Sequence, residues 1–349
     1  MNQYFPFLEQ DNFEYKWFNL NTPRVQTWLH RLDQSPYAQF TLLEFCIRAL
    51  IHLSGIPYRW FRMIQILLLA RQFDLIFLQA TILPVFISRI LKKRNPFLVF
   101  DFDDALYVRY PKQTNTLIES SWRVIAGGHT LYDYASKLNP NTIFVPSPVN
   151  ANDYSTSPRK SSRLCLGWIG GVNTLRYLEE IVQPLNHLAT QGYRFDLLLA
   201  GTYGNKKYIP TFENINVIEI ERYTHEQIPG LVSRFDLGIM PMPDGPLERG
   251  KCALKLIIYM AGARPVVCSP VGENLFVIEE GVNGYFADSP QTWEIRLAEL
   301  LDSEILRREQ GEAGRIKVED RYDLGVCYQI LFNEIFSKLP GADQNGAGE

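Results

Sequence analysis

The chain has 349 residues, a formal net charge of −3 and five cysteines. This length favours two domains, each large enough to bury a core of its own. A hydrophobic content of 46% with 13% aromatic residues is typical of a globular protein and excludes a disordered chain. The small negative charge argues against nucleic-acid binding, which needs a basic surface. The cysteines are scattered and form no Cys-x-x-Cys pair, which indicates reduced thiols in a cytoplasmic protein.

Residues 1–35 give little secondary-structure signal. The opening MNQYFPFLEQ lacks the apolar segment of a signal peptide, and no apolar run reaches the length of a membrane span. From Phe40 to Phe73 the chain is apolar and predicts helices with a break at Gly55–Pro57. The segment Tyr58–Arg62 mixes aromatic residues with arginines. Two interpretations stay open for it, namely a helix lying at a membrane surface and a core helix with its charges in water.

Two strands are predicted in the first half, at Asp74–Leu78 and Phe97–Phe102, with a helix between them that ends at Arg94. Thr142–Pro146 predicts the last strand of the first domain, and the polar segment after it predicts a hinge. The predicted domains are residues 1–150, a hinge at 151–163, a second domain at 164–339 and a disordered tail at 340–349.

Three carboxylates follow the second strand, at Asp101, Asp103 and Asp104. A haloacid-dehalogenase-type phosphatase would carry Asp-x-Asp-x-Thr here, but the fifth position is Ala105. A metal-binding Asp-x-Asp pair is a second alternative, and capping of the following helix is a third. The pattern alone does not decide between them.

The second half alternates between strands and helices, which predicts a parallel, doubly wound sheet. The predicted strands are 164–169, 195–200, 215–220, 236–240, 265–269 and 284–287. A last helix is predicted over 303–339, with breaks near Gly311 and Gly314 and an end that crosses back to the first domain.

An anion site is predicted where the fourth of these strands leads into a helix. The loop Pro241–Gly250 follows the strand, and a helix predicted over Lys251–Gly262 places Lys251 and Lys255 on one face. The N-terminus of a helix, with its free N–H groups and positive dipole, attracts phosphate. A solvated basic face is the plainer alternative. The Gly170–Gly171 turn after the first strand is a weaker phosphate signal of the same kind.

The stretch PMPDGPLERGKCALKLIIYMAGARPVVCSPVGENLFVIEEGVNGYF resembles the nucleotide-sugar domain of family 4 glycosyltransferases of GT-B fold. The resemblance covers residues 72–335 and is strongest in the second half. The matching pieces are Gly238–Pro241, Gly250–Leu256, Tyr259–Ala261, Pro265–Val267 and Gly281–Gly284. It implies an α/β, GT-B protein with two facing Rossmann-like domains, parallel sheets and a cleft between them. By the same resemblance, the chain lacks the usual first strand.

The resemblance implies a retaining glycosyltransferase with a nucleotide-diphosphate sugar donor and a sugar or lipid-linked acceptor. It implies no cofactor and no metal, and a place in cell-surface polysaccharide or glycoconjugate synthesis. We expect a cytoplasmic protein with peripheral contact at the inner face of the membrane. A catalytically weak or inactive GT-B-shaped binding or scaffold protein is the alternative.

The resemblance also assigns site residues. Asp103 and Asp104 would face the sugar or acceptor, and Lys251 would stabilise the leaving diphosphate. Two glutamates usual in the family are replaced by Gly250 and Ile258, and Glu248, two residues before the first of them, would take the catalytic place of that glutamate. The implied donor-binding residues are Gly170, Gly171, Arg176, Arg249, Gly250, Lys251, Lys255, Ile258, Gly272, Glu273 and Asn274.

Overall fold

The computed structural model describes residues 2–16, 18, 20 and 42–340. Its contacts divide the chain into two compact units. The first contains the described residues up to Gly127, then Leu131–Val145 and the chain from Tyr328 onward; the second contains Gly128–Thr130 and Pro146–Cys327. The predicted tail from 341 onward, and residues 21–41 of the N-terminal region, lie outside the described residues.

The predicted domain limits differ from these units at the C-terminal end. Residues from Tyr328 onward group with the first unit, whereas the prediction extends the second domain to 339. The Tyr328 ring packs on Phe7, with centroids 4.8 Å apart, and on Phe336 at 6.2 Å. These aromatic contacts explain why the end of the chain joins the first unit.

The first unit is built on a four-stranded sheet in the order β1-β2-β3-β4, with all neighbours parallel. The elements up to Phe144 are α1 (Phe5–Gln10), α2 (Leu42–Leu69), β1 (Ile76–Gln79), α3 (Val85–Arg94), β2 (Leu98–Phe102), α4 (Leu106–Arg109), α5 (Pro111–Ser120), β3 (Arg123–Ala126), α6 (His129–Ser136) and β4 (Thr142–Phe144). Strand β3 has no counterpart among the sequence-based predictions. The predicted helix break at Gly55–Pro57 is wrong, since α2 continues through Pro57.

The second unit contains a six-stranded parallel sheet in the order β10-β9-β8-β5-β6-β7. Its elements, together with the last helix, are β5 (Leu164–Ile169), α7 (Val172–Leu175), α8 (Val182–Thr190), β6 (Phe195–Ala200), β7 (Asn216–Ile220), α9 (Ile228–Val232), β8 (Leu237–Met240), α10 (Leu254–Ala261), β9 (Val266–Cys268), α11 (Asn274–Val277), β10 (Gly284–Phe286), α12 (Pro290–Asp302), α13 (Glu304–Arg321) and α14 (Leu324–Glu334). Each of the six predicted strands has its counterpart here.

Both faces of this sheet are covered. Cys165 and Ile169 of β5 pack in one apolar cluster, whereas Leu166 and Trp168 pack in another. Alternate residues of a strand point to opposite faces, so the two clusters are the cores on either side of the sheet. Strands β5 and β8 are neighbours from which the chain winds in opposite directions. Such a switch point is where open α/β sheets bind ligands, outside the carboxyl ends of the strands.

The breaks predicted at Gly311 and Gly314 are wrong, because α13 runs unbroken through both. A Cβ on Gly311 would lie 2.2 Å from the carbonyl oxygen of Ala263, and one on Gly314 would lie 3.0 Å from Cγ of Met260. These glycines therefore allow α13 to pack closely on α10 and the turn after it. Among the described residues, no helix is long and apolar enough to cross a bilayer.

Candidate functional site

The turn after β5 forms one side of the switch point. A Cβ on Gly170 would lie 2.3 Å from the Trp168 ring and 2.9 Å from Nζ of Lys255. A Cβ on Gly171 would meet nothing within 4 Å. Only Gly170 is therefore required by packing, whereas Gly171 leaves open space beside the turn.

Helix α10 is held against the end of β5 by Tyr259. The backbone N–H of Ile169 donates a hydrogen bond of 2.8 Å to the Tyr259 hydroxyl oxygen. The Tyr259 ring occupies the space that a side chain at Gly238 would need, with a Cβ there only 2.3 Å away. Lys255 lies one turn earlier on the same helix and so shares this face.

Lys255 is the central cation of the site. Its Nζ lies 4.5 Å from the centroid of the Trp168 ring and 3.4 Å from Oγ1 of Thr174. Burial, with a smaller contribution from the charge of Lys251, lowers the pKa of Lys255 to about 7. Protonation of Lys255 therefore costs free energy in this place, and an anion bound beside it would offset that cost.

Lys251 does not lie on the predicted helix. The chain is extended at Lys251, and Ala253 takes a left-handed conformation with φ of 52°, so α10 begins only at Leu254. The predicted helical spacing of Lys251 and Lys255 is therefore wrong. The two charges are nevertheless close enough for Lys251 to lower the pKa of Lys255.

The two arginines assigned to phosphate binding have other contacts. Arg249 forms a bidentate pair with Asp244, with Nε 2.5 Å from Oδ1 and Nη2 2.8 Å from Oδ2. Both side chains are exposed, and the pair raises the pKa of Arg249. The guanidinium of Arg176 lies over the Tyr177 ring, 5.4 Å from its centroid. The charge of Arg249 is thus already balanced in the protein.

Glu248 is buried in a short 3₁₀ turn that ends at Gly250, which is also buried. The Tyr177 hydroxyl donates a short hydrogen bond to its Oε1. This bond joins the segment after β5 to the loop after β8. Ile258 is also buried, within the apolar cluster on one face of the sheet. Its position in a core explains why a side chain without a charge stands there.

The segment after β9 packs against the same loop. Gly272 has φ of +55°, and a Cβ on it would lie 2.5 Å from the carbonyl oxygen of Arg249. The amide of Asn274 donates to the carbonyl oxygen of Ser269 at 2.9 Å. Its Oδ1 is buried and has no hydrogen-bond partner. Such an atom is costly unless a ligand or water donates to it.

Glu273 has a partner that the sequence-based reasoning missed. It accepts hydrogen bonds from the His129 backbone N–H at 2.6 Å and from the His129 ring at 3.0 Å. Burial raises the pKa of Glu273, although its bonds to His129 act in the opposite direction. The His129 ring stacks on Phe276, with centroids 3.8 Å apart. The two residues are 144 positions apart, so no local pattern connects them.

The three carboxylates of the first unit lie at the end of β2. Asp101 is the last but one residue of the strand, and Asp103 and Asp104 are exposed just beyond it. Burial of its carboxyl, reinforced by the charge of Asp103, raises the pKa of Asp101 to about 7. Among the described residues no group of three or more His, Cys, Asp or Glu side chains could hold a metal.

Comparison with known proteins decides between the alternatives. Residues 163–303 match the family model of glycosyl transferases group 1. Most of the second unit is therefore similar to a glycosyl transferases group 1 domain. The chain is accordingly a glycosyltransferase, which confirms the expectation of an enzyme of this kind. No curated protein matches the chain.

Solved structures show that the fold extends beyond this domain. HepE of Anabaena, in complex with UDP and glucose, superposes with a TM-score of 0.63 at 16% identity, over 80% of this chain and 81% of that one. Sucrose-phosphate synthase from Thermosynechococcus elongatus gives a TM-score of 0.57 at 15% identity, over 76% and 74%. With its two parallel sheets, the glycosyltransferase therefore has the predicted α/β, GT-B fold.

Proposed function

We propose that this glycosyltransferase transfers a sugar from a nucleotide-diphosphate sugar to a sugar or lipid-linked acceptor, with retention of anomeric configuration. The observation that carries the donor assignment is Lys255, a cation made costly by burial at the switch point of the sheet. The structures of Anabaena HepE with UDP and with UDP-glucose support a donor of this class. The resemblance adds a role in cell-surface polysaccharide or glycoconjugate synthesis.

The proposed chemistry needs positive charge near the leaving group. When the bond between the sugar and the diphosphate breaks, negative charge builds up on the phosphate oxygens. Fixed cations stabilise that charge without reorganisation. Lys255 supplies this function together with Lys251 and the N–H groups at the start of α10, and a diphosphate here would raise the pKa of Lys255. The resemblance implies that the departing phosphate helps to deprotonate the acceptor.

The remaining assignments belong to the same proposal. Gly170, Gly171 and Arg176 lie beside the diphosphate, and Gly272, Glu273 and Asn274 contact the sugar or the phosphate. For Asn274, the unpaired Oδ1 gives a physical reason, because sugar hydroxyls donate hydrogen bonds. Glu248, already paired with Tyr177, orients the loop that contains Arg249 and Gly250. Asp103 and Asp104 contact the sugar or acceptor.

The test is release of UDP or GDP from a panel of sugar nucleotides, with an acceptor mixture present. We expect one nucleotide sugar to be consumed and its anomeric configuration to be retained in the product, as measured by NMR. The Lys255→Met variant should lose this activity. Arg308→Met is the matched control, since it removes an exposed arginine that pairs with Glu312 on α13, and it should retain most of the activity. Inversion at the anomeric carbon would contradict the proposed mechanism.

Asp103 is tested separately from the donor site. Asp103→Asn should lower the rate of transfer while the dissociation constant of UDP stays unchanged. Calorimetric titration measures the second quantity. A parallel loss of nucleotide affinity would contradict the assignment of Asp103 to the sugar or acceptor.

A further inference from the structure

The first unit exposes an unusual amount of apolar surface on two neighbouring helices. Six large side chains are between 38% and 63% exposed. We call them the apolar patch; they are Trp60, Phe61, Ile64 and Leu68 on α2 and Phe86 and Ile90 on α3. Contiguous exposed apolar surface of this kind marks an interaction site.

On α2, the apolar patch lies on a different face of the helix from the one that packs in the core. Met63 and Ala70 of the same stretch are buried in the core of the first unit. Ile64 and Leu68 are four residues apart, so they form a stripe that points away from that core. The Trp60 and Phe86 rings stack at 5.9 Å with an interplanar angle of 20°. This stacking joins the stripes of α2 and α3 into one surface.

The charged residues on the two helix segments that carry the patch are all basic. Residues 56–69 and 85–94 contain six Lys or Arg residues and no Asp or Glu. Arg59, Arg89 and Lys93 are exposed. By contrast, Arg94 donates to the carbonyl oxygen of Leu67, and Lys92 to that of Glu119. Apolar side chains flanked by exposed cations fit a surface with an apolar interior and negatively charged groups at its boundary with water.

We propose that the apolar patch binds the surface of an anionic lipid bilayer, with α2 and α3 lying in the headgroup region. Aromatic and aliphatic side chains would enter the acyl boundary while Arg59, Arg89 and Lys93 contact lipid phosphates. A second copy of the chain fits less well, because a twofold interface here would bring the same cations face to face. This inference rests on the proposed function only for its purpose, which is access to a lipid-linked acceptor.

The experiment is co-sedimentation of the full chain with phosphatidylcholine vesicles, with and without phosphatidylglycerol. We expect binding to the anionic vesicles, and at least about tenfold weaker binding to the neutral ones or at raised salt. The double variant Phe61→Ser/Leu68→Ser should weaken binding to anionic vesicles at least about tenfold. Its matched control is Ile305→Ser/Ile316→Ser, which removes two equally exposed side chains from α13 and should bind like the wild type.

A charge variant keeps the test valid if the apolar variant fails to fold. Arg59→Glu/Arg89→Glu changes two exposed side chains and should also lose at least about tenfold in binding to anionic vesicles. Release of UDP or GDP in the absence of vesicles should be unchanged in both patch variants, so that failure of the membrane proposal and failure of the proposed function are distinguished. The proposal is wrong if the wild type does not bind anionic vesicles, or if the α13 control loses as much binding as the Phe61→Ser/Leu68→Ser variant. It is equally wrong if light scattering shows a dimer that only the patch variants disrupt.

Discussion

The two sheets carry opposite charges where their strands end. In the first unit, β2 leads into Asp101, Asp103 and Asp104, and in the second, the loop after β8 leads to Lys251 and Lys255. The same physical cause acts on one group in each. Burial raises the pKa of Asp101 to about 7 and lowers that of Lys255 to about 7. Removal from water opposes a charge of either sign, so each edge holds one group that is costly to ionise.

The difference between the edges lies in what surrounds that group. Lys255 is fixed by its contacts with Trp168 and Thr174, and Gly170 keeps the space beside it open. At the edge in the first unit, Asp103 and Asp104 are exposed, and a Cβ on Gly127 would lie 3.2 Å from Cα of Asp103. We call the sheet edge at Lys251 and Lys255 the lysine edge, and the sheet edge at Asp101, Asp103 and Asp104 the carboxylate edge. The lysine edge can hold an anion in one fixed place, whereas most of the carboxylate edge is open to water.

The largest expected effect tests where the lysine edge ends. The sequence resemblance places Ile258 beside the donor, but the structure places it in a core. Ile258→Glu buries a carboxylate among apolar side chains and should lower the free energy of unfolding by about 3–5 kcal/mol, as measured by urea denaturation.

Ile305→Glu, at an exposed position in the first turn of α13, is the control and should cost less than about 0.5 kcal/mol. A folded Ile258→Glu protein with unchanged stability and tighter UDP binding would contradict the core assignment. The edge would then extend along α10 to the ribose.

The next effect concerns the lysine itself. Lys255→Met should lower turnover by about 100-fold or more, because it removes a fixed cation from the developing charge on the diphosphate. Since UDP binds the protonated form, its dissociation constant in the wild type should rise as the pH increases above 7, by up to about tenfold per pH unit. Calorimetry between pH 6 and 9 measures this slope. The slope should disappear in Lys255→Met; a wild-type protein without it would mean that Lys255 does not contact the phosphates.

The glycine turn provides a smaller and internally matched test. Gly170→Ala places a methyl group against the Trp168 ring and Nζ of Lys255, and should cost about 1–3 kcal/mol in unfolding free energy or an equivalent loss of UDP affinity. A Cβ on Gly171 would meet no protein atom within 4 Å, so Gly171→Ala should leave the unfolding free energy unchanged. Thermal unfolding and UDP titration of both variants decide the matter. If both variants had the same unfolding free energy and the same UDP affinity, the packing of Gly170 against Trp168 and Lys255 would not matter for the site.

The strands of the second unit and the charged residues at both edges could be predicted because they depend on local patterns. Apolar runs separated by Gly, Pro and polar residues give the strands of the second unit, and the basic residues follow one of them directly. What could not be predicted depends on contacts between distant residues. The start of α10 is set by a left-handed Ala253, a conformation for which alanine has no preference. The pairing of Glu273 with His129 and the packing role of Gly311 are of the same kind.

The smallest expected effect tests the carboxylate edge by its pH dependence. A carboxylate whose folded pKa lies above its unfolded value binds protons better in the folded state, so stability falls as the pH rises from about 4 to about 7. Asp101→Asn removes this dependence and should raise the free energy of unfolding by roughly 1–2 kcal/mol at pH 8 and much less at pH 4.

Lys255 acts in the opposite sense, since its lowered pKa makes stability rise with pH above 7. Urea denaturation at pH 4, 6 and 8 compares wild type, Asp101→Asn and Asp104→Asn, the last being an exposed control. If Asp101→Asn leaves the pH dependence of stability unchanged, the charge of Asp101 is already compensated. Burial would then not be the shared cause of the pKa shifts at the two edges.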